Sequence, residues 1–204
     1  PRARRWDGAQ WDGGNRPHAY RRPSRGWIVP AYWTAPNFIV GNFGTGSLRV
    51  EGGGFVTNVA AYIAKEAATA RGDATVTGIG TRWNSTGGLI VGSVGSGTLS
   101  VEAGGAVKAD GYVIVANRQS STSTTTVTGT DSTLTSGGDV IVGNFGNGTL
   151  RVETSGAVSS TGNSLIANFD NSIGSATLNS ATWTSSGDFV VGHLGNGTLR
   201  VENG

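Results

Sequence analysis

Glycine-rich loops are the residues of this chain whose spacing comes closest to a chemical motif. Gly41, Gly44 and Gly46 form a G-x-x-G-x-G pattern that returns at 92–97, 143–148 and 192–197. Such a loop binds phosphate when a helix begins directly behind it, because the helix N-terminus supplies free N–H groups. Here each loop leads into a strand-like stretch such as SLRVE or TLRVE. The glycines are therefore predicted to form turns and not a nucleotide site.

Other reactive side chains are few and dispersed. The chain has two histidines, His18 and His193, and no cysteine. Its aspartates mostly lie beside glycines at expected turns, with no cluster of carboxylates and no nucleophile beside a base. The glycine loops carry Asn, Thr or Ser where a calcium-binding repeat needs Asp. We therefore predict no catalytic residue, no metal site and no cofactor, and interpret the protein as non-enzymatic.

Charged residues recur in register, and these are the predicted partner-binding residues. They are Arg49, Glu51, Arg151, Glu153, Arg200 and Glu202. The remaining copy has Ser100 beside Glu102. A solvated surface of local ion pairs, each contributing about 0–1 kcal/mol to stability, is the favoured interpretation of these rows, and a charged stripe that binds a partner is the alternative.

The elements that position these residues follow from an internal repeat. Val40, Val91, Val142 and Val191 mark a spacing of 51, 51 and 49 residues. Each repeat contains about six short, alternating strand patterns separated by glycine, asparagine and serine, which is typical of serial strands and turns. We predict an all-β fold, a right-handed parallel β-helix with two three-sided coils per repeat of about 51 residues. A β-propeller is the alternative, but it needs longer strands and a closed ring.

Two regions differ in composition. Residues 1–37 form a predicted leader or cap that is rich in arginine and tryptophan, and residues 38–204 form the β-helix. The β-helix divides into repeats 38–88, 89–139 and 140–188 and a partial repeat 189–204. The net charge is +5 over residues 1–25 and −3 over the remainder. A basic, aromatic segment of this kind could bind nucleic acid, glycosaminoglycan or anionic lipid. A structural role, as a leader or as a cap over the first coil, is favoured instead, and no nucleic-acid partner is expected.

Recurring apolar residues are predicted to stack as core ladders along the rod. The Leu and Val of each LxVE segment alternate with polar residues and are expected to point inward. The other predicted ladders are Trp83 with Leu134 and Trp183, and Phe43 with Val94, Phe145 and Leu194.

The repeated pattern VGxxGxGxLxVExGGxV resembles a known family. In the first repeat the matching residues are Val40 through Glu51, Ala64, 76–83 and the glycine pair 87–88. The same run returns in the second and third repeats, so the resemblance covers residues 38–204. This is similar to the repeat associated with type V secretion autotransporters and PEP-CTERM proteins. The resemblance implies an autotransporter passenger, secreted or displayed on a Gram-negative outer membrane, with the C-terminal membrane barrel outside these residues. Such passengers often act as adhesins or as virulence factors on host-cell receptors.

The resulting prediction is a non-enzymatic passenger fragment that binds a host-cell surface protein or glycan through the faces and loops of its β-helix. One alternative is a purely structural stalk, and a less favoured one is a carbohydrate-active enzyme. Residues specific to this protein are expected where the repeats disagree, at 62–71, 117–126 and 168–175, and in the leader.

Overall fold

The chain forms a parallel β-solenoid with no helix among its described residues. The computed structural model describes residues 9–11, 17–19 and 31–203. The strands are β1 (Ala9–Trp11), β2 (Pro17–Ala19), β3 (Tyr32–Val40), β4 (Thr45–Val50), β5 (Phe55–Ile63), β6 (Arg71–Thr77), β7 (Arg82–Ser85), β8 (Leu89–Val91), β9 (Ser96–Glu102), β10 (Ala106–Ala109), β11 (Val113–Val115), β12 (Thr122–Thr128), β13 (Thr133–Ser136), β14 (Val140–Val142), β15 (Asn147–Glu153), β16 (Ala157–Ser160), β17 (Ser164–Ile166), β18 (Ile173–Asn179), β19 (Thr182–Ser185), β20 (Phe189–Val191) and β21 (Asn196–Glu202).

Strands of successive coils pair in parallel and build three faces. Face 1 contains the first halves of β3 and β5, followed by β7, β10, β13, β16 and β19. Face 2 contains the second halves of β3 and β5, followed by β8, β11, β14, β17 and β20. Face 3 is the seven-stranded sheet of β4, β6, β9, β12, β15, β18 and β21. One strand from each face forms a coil, so the described chain winds through about seven coils.

Two coils make one sequence repeat. Coil 1 begins with β3, and coils 2 to 7 begin with β5, β7, β10, β13, β16 and β19. On face 1 Arg82 pairs with Ala106, which pairs with Thr133, so consecutive coils advance by 24 and then 27 residues. Their total is the 51-residue period of the sequence. The predicted β-helix with two three-sided coils per repeat is confirmed.

The core is a column of apolar side chains between the faces. Leu99, Val101, Leu150 and Val152 are fully buried, as predicted from their alternation with polar neighbours. Trp83 and Leu134 are also buried, whereas Trp183 in coil 7 is only partly buried and packs against the core. Burial of each large side chain contributes roughly 1.5–3 kcal/mol, so stacked ladders of this kind stabilise the rod.

The predicted core ladder that contains Phe43 and Phe145 was wrong, because these side chains are exposed and do not lie in the core. Phe43 is 68% exposed, Phe145 is 40% exposed and Leu194 is 56% exposed. Each follows a corner glycine with positive φ, such as Gly143 at 77°. That conformation interrupts the strand alternation, so the ring turns outward and the preceding residue, Asn144 in coil 5, is buried instead.

An amide ladder occupies this inward corner position. Asn144 Nδ2 donates to Asn117 Oδ1 at 2.9 Å, and Asn168 Nδ2 donates to Asn144 Oδ1 at 2.9 Å. His193 Nδ1 lies 3.1 Å from the carbonyl oxygen of Asn168 and 3.2 Å from its Oδ1. The ladder satisfies side-chain polar groups that would be costly to bury unpaired.

The first coil begins earlier in the chain than the repeat does. Strand β3 starts at Tyr32 and pairs with β5 from Phe55 onward, so residues 32–37 belong to a coil although they were assigned to the leader. Tyr32 packs on Phe55 with ring centroids 5.1 Å apart. In coil 2, two separate strands were expected on faces 1 and 2, but the structure has one continuous strand there, β5.

Two short strands lie beside this first coil. Strand β1 pairs in parallel with β3 and antiparallel with β2. These backbone pairings cover part of the face 1 edge of coil 1, as a cap would. The other residues of the predicted leader, at 1–8, 12–16 and 20–30, lie outside the described part of the chain.

Candidate partner-binding face

Face 3 is the widest face of the solenoid. Its strands β6, β9, β12, β15, β18 and β21 each have seven residues, whereas those of face 2 from β8 onward have three. Along β9 the residues alternate between buried and accessible, so Ser96, Thr98, Ser100 and Glu102 point outward. Seven strands spaced by about 4.8 Å give a surface about 30 Å long.

The six predicted partner-binding residues all lie on this face. The outward column through its centre reads Arg49, Thr75, Ser100, Thr126, Arg151, Thr177 and Arg200. The next outward column contains Thr77, Glu102, Thr128, Glu153, Asn179 and Glu202, and Glu51 follows β4 at the same end. The structure therefore brings the arginines into one column and the glutamates into another.

The arginines pair with glutamates of their own strand. Arg49 Nε lies 2.6 Å from Glu51 Oε2, and Arg151 Nη1 lies 4.0 Å from Glu153 Oε1. Arg200 forms the equivalent pair with Glu202. The side chain of Arg49 is 58% exposed and that of Glu51 is 61% exposed, so water screens their attraction. Such a pair contributes at most about 1 kcal/mol to stability.

Coils that present threonines lie between the coils that present charged residues, and this arrangement was not predicted from the sequence. Thr75 lies between Arg49 and Ser100, and Thr177 lies between Arg151 and Arg200. A TVT segment at 75–77 and another at 126–128 were visible, but alignment at the 51-residue period never placed them beside the RVE segments. Alignment at the coil period of about 25 residues would have done so.

Charges on the outward side of face 3 nearly cancel. Arg49, Arg71, Arg151 and Arg200 provide the cations. The anions are Glu51, Asp73, Glu102, Glu153 and Glu202. A surface with paired charges and many hydroxyl groups has both donors and acceptors for hydrogen bonds but little net field.

An exposed aromatic edge borders face 3 at the corner that leads to it from face 2. The rings of Phe145 and Phe169 stack at 4.3 Å with an interplanar angle of 4°, and both are more than one third exposed. Leu194 is the next residue along this edge, and Ile173 at the start of β18 is 49% exposed. Exposed aromatic and aliphatic side chains of this kind often contribute to protein interfaces.

The same edge is charged in coil 2. Lys65 Nζ lies 2.8 Å from Glu66 Oε1 and 4.9 Å from the centre of the Tyr62 ring. The hydrogen bond to Glu66 raises the pKa of Lys65 above its ordinary value. These residues belong to the segment 62–71, where the repeats differ. The edge is therefore charged in coil 2 but aromatic at Phe43 in coil 1 and again in coils 5 and 6.

The glycine loops are corners of the solenoid. Gly41, Gly92, Gly143 and Gly192 have φ between 73° and 77°, as the turn interpretation required. A Cβ on Gly148 would lie 2.2 Å from the backbone nitrogen of Gly143, so the loop is tightly closed. The N–H groups of Gly143, Asn144 and Gly146 donate to carbonyl oxygens of coil 4, as expected of corner residues. Across the described ranges no three His, Asp or Glu residues cluster as metal ligands would. Nor do those ranges contain a helix that could cross a membrane.

Comparison with family models, with curated proteins and with solved structures finds no match for this chain. The candidate site is therefore defined by the geometry of the solenoid itself.

Proposed function

We propose that this chain is a non-enzymatic binding segment that attaches to a host-cell surface protein or glycan through face 3. By its sequence motif, it is further proposed to be part of an autotransporter-type passenger that is secreted or displayed at a Gram-negative cell surface. Its function would then be adhesion or engagement of a host receptor.

The observation that carries this proposal is the regular outward pattern of face 3. Arg151 and Glu153 are exposed enough that their pairing adds little to stability. Yet the pair recurs in coils 1, 5 and 7 at the same register. Stacking of the core accounts for the inward residues but not for this exposed pattern. A surface that contacts a partner does account for it.

A structural stalk is the alternative function, and it leads to the opposite expectation for the outward residues of face 3. A stalk requires only the core ladders and the backbone pairing, so its outward residues are replaceable. The two proposals therefore differ in what they expect from substitution of exposed arginines.

Saturable binding of the labelled chain to cultured host cells tests the proposal. The triple variant Arg49→Ser, Arg151→Ser and Arg200→Ser places in each position the residue that coil 3 already has at Ser100. We expect it to reduce cell binding at least about tenfold, because exposed arginines often dominate interfaces. A matched control removes three exposed cations elsewhere, with Arg82→Ser, Lys108→Ser and Arg118→Ser.

The control has the same net charge as the triple variant, so a purely electrostatic attraction would weaken equally in both. Loss of binding in the face 3 variant alone supports the proposal. Absence of saturable binding by the unaltered chain would favour a stalk. Release of reducing sugars from polysaccharide by the unaltered chain would contradict a non-enzymatic function.

A further inference from the structure

We propose that face 3 binds a linear, neutral, β-1,4-linked polysaccharide that lies along the axis of the rod, with about one sugar unit for each coil. This inference rests on the proposed function and specifies the partner of the same face.

The first argument is the spacing along the rod. Outward residues of one column recur every coil, at about 4.8 Å. A β-1,4-linked hexose chain in its extended form advances by nearly this distance for each sugar. A chain laid along the central column would therefore keep its units in step with the residues beneath.

The second argument is the alternation between neighbouring coils. Coils 2 and 4 present two threonines, such as Thr126 and Thr128 in β12, whereas coils 5 and 7 present an arginine and a glutamate, such as Arg151 and Glu153 in β15. Successive sugars of an extended β-1,4-linked chain are turned over by about half a rotation. Alternate sugars therefore present alternate edges to the protein, and a two-coil pattern matches a two-sugar pattern.

The third argument is the chemistry of the face. Hydroxyl groups both donate and accept hydrogen bonds, and a paired arginine and glutamate add further donors and acceptors beside them. Near balance of charge disfavours a polyanion, because its carboxylates or sulfates would meet about as many glutamates as arginines. A neutral, hydroxyl-rich polymer is complementary to such a surface.

The other two faces lack this pattern. The middle column of face 2 is apolar in all but one residue, and its Ile90 and Ile114 are buried. It consists of Ile39, Tyr62, Ile90, Ile114, Ile141, Leu165 and Val190. An outward column of face 1 mixes Thr57, Asn84, Lys108, Thr135, Ser159 and Thr184 without a two-coil alternation of charge. Face 1 therefore supplies a control surface with threonines that face solvent.

The length dependence of binding is the first test. Cello-oligosaccharides and chito-oligosaccharides of increasing length are titrated into the whole chain by calorimetry. We expect affinity to increase with each added sugar and to level off at about seven units, one for each coil. Affinity that does not depend on length would overturn the axial arrangement.

A single block in the middle of face 3 is the second test. Thr126→Trp places an indole on the central strand β12 and leaves three uninterrupted coils on either side. We expect long oligosaccharides to bind at least about tenfold more weakly, since about half of the contacts, each worth a few-fold in affinity, are lost. Affinity for three-unit oligosaccharides should change little.

The matched control is Thr135→Trp, which makes the same change at a half-buried, outward threonine of face 1. Equal unfolding midpoints for the two variants ensure that the comparison concerns binding. Weakening by Thr126→Trp alone supports the proposal, and equal weakening by both variants overturns it.

Cell binding measured on the same variants separates this inference from the proposed function. If Thr126→Trp abolishes cell binding while no neutral oligosaccharide binds the unaltered chain, face 3 binds another partner and the polysaccharide inference is wrong. If the unaltered chain binds neither cells nor oligosaccharides, both proposals are wrong.

Discussion

Odd and even coils of this solenoid form the same corner with different residues. In the odd coils 1, 3, 5 and 7, the corner after face 2 begins with glycine, for example Gly143 with φ of 77°. In the even coils 2, 4 and 6, it begins with alanine, for example Ala116 with φ of 62°. The backbone turn is similar, although a Cβ in this conformation costs about 1–2 kcal/mol.

What lies on top of each corner explains the difference. A Cβ on Gly143 would lie 2.4 Å from the backbone oxygen of Ile173 in coil 6, so no methyl group fits there. The methyl group of Ala116 is buried, and it faces the glycine loop of coil 5, where a Cβ on Gly146 would lie 3.3 Å away. The corner of coil 4 is long, with six residues at 116–121, and that of coil 5 is short, with four residues at 143–146. The alanine of the long corner fills the space beside the glycine loop of the short one. The repeat therefore needs two coils because two corner types complement each other.

Gly143→Ala gives the largest expected effect, because it places alanine in an odd coil. The added methyl group meets backbone of coil 6, which cannot move without disturbing β18. We expect the free energy of unfolding to fall by about 2–4 kcal/mol in a urea titration. Gly192→Ala is the control, since its Cβ would have no atom nearer than 3.3 Å and should cost only about 1–2 kcal/mol. Equal losses would show that φ alone, and not the neighbouring coil, excludes alanine.

Asn58→Ser tests how an even coil supports the odd coil after it. Trp83 Nε1 in coil 3 donates to Asn58 Oδ1 in coil 2 at 2.7 Å, and Asn58 Nδ2 donates to Ser85 Oγ at 2.9 Å. Serine is too short for both bonds, so a buried indole N–H would lose its partner. We expect a loss of about 2 kcal/mol in the free energy of unfolding.

The reverse substitution is available in coils 6 and 7. Serine occupies the equivalent position at Ser160, and within the described chain Trp183 Nε1 has no hydrogen-bond partner. Ser160→Asn gives the indole an acceptor but removes the bond between Ser160 Oγ and Ser164 Oγ at 2.9 Å, so we expect a gain in stability of no more than about 0.5 kcal/mol. A loss of stability in this variant would contradict the proposed equivalence of the two sites.

Thr125→Val tests the inward column of face 3, where odd and even coils also differ. Odd coils place leucine there, as at Leu99 and Leu150, whereas even coils place Ala74, Thr125 and Ala176. The buried hydroxyl of Thr125 has no partner among the described residues. Valine has nearly the same shape without this polar group, so we expect a gain of about 1 kcal/mol in thermal or urea unfolding. Thr126→Val, on the solvent side of the same strand, should change stability by less than about 0.5 kcal/mol.

The smallest effect is expected from converting the surface of an odd coil to the even type. Arg151→Thr with Glu153→Thr gives β15 the outward residues that β12 has at these two positions, Thr126 and Thr128. The free energy of unfolding should change by no more than about 0.5 kcal/mol, and the change should shrink in high salt. A larger loss would mean that the charged rows serve stability, which would weaken the case for a binding face.

The sequence predicted what depends on local alternation and on the repeat. Leu99 and Val101 were expected inside and Glu102 outside, and the structure has them so, because a strand alternates with a period of two. Phe145 was misplaced because the positive φ of Gly143 resets this alternation at the corner. No sequence pattern indicates which residues follow such a reset.

Contacts between coils were beyond sequence reasoning for a different reason. The bond between Trp83 and Asn58 joins residues 25 apart, and its register depends on whether each corner is long or short. The period of 51 residues conceals this, since it is the sum of two unequal coils. For the same reason, the 51-residue period does not show that Thr75 lies beside Arg49 or that rows of threonines occur on face 3.

The hydrogen bonds of the amide ladder at the corner all run in one direction along the rod. The carbonyl oxygen of Asn168 can only accept, so the neighbouring His193 Nδ1 must carry a proton and donate it. This orients the carboxamides of Asn168 and Asn144, each of which donates toward the start of the chain. The three side-chain donors of the ladder, at Asn144, Asn168 and His193, therefore all point the same way along the rod.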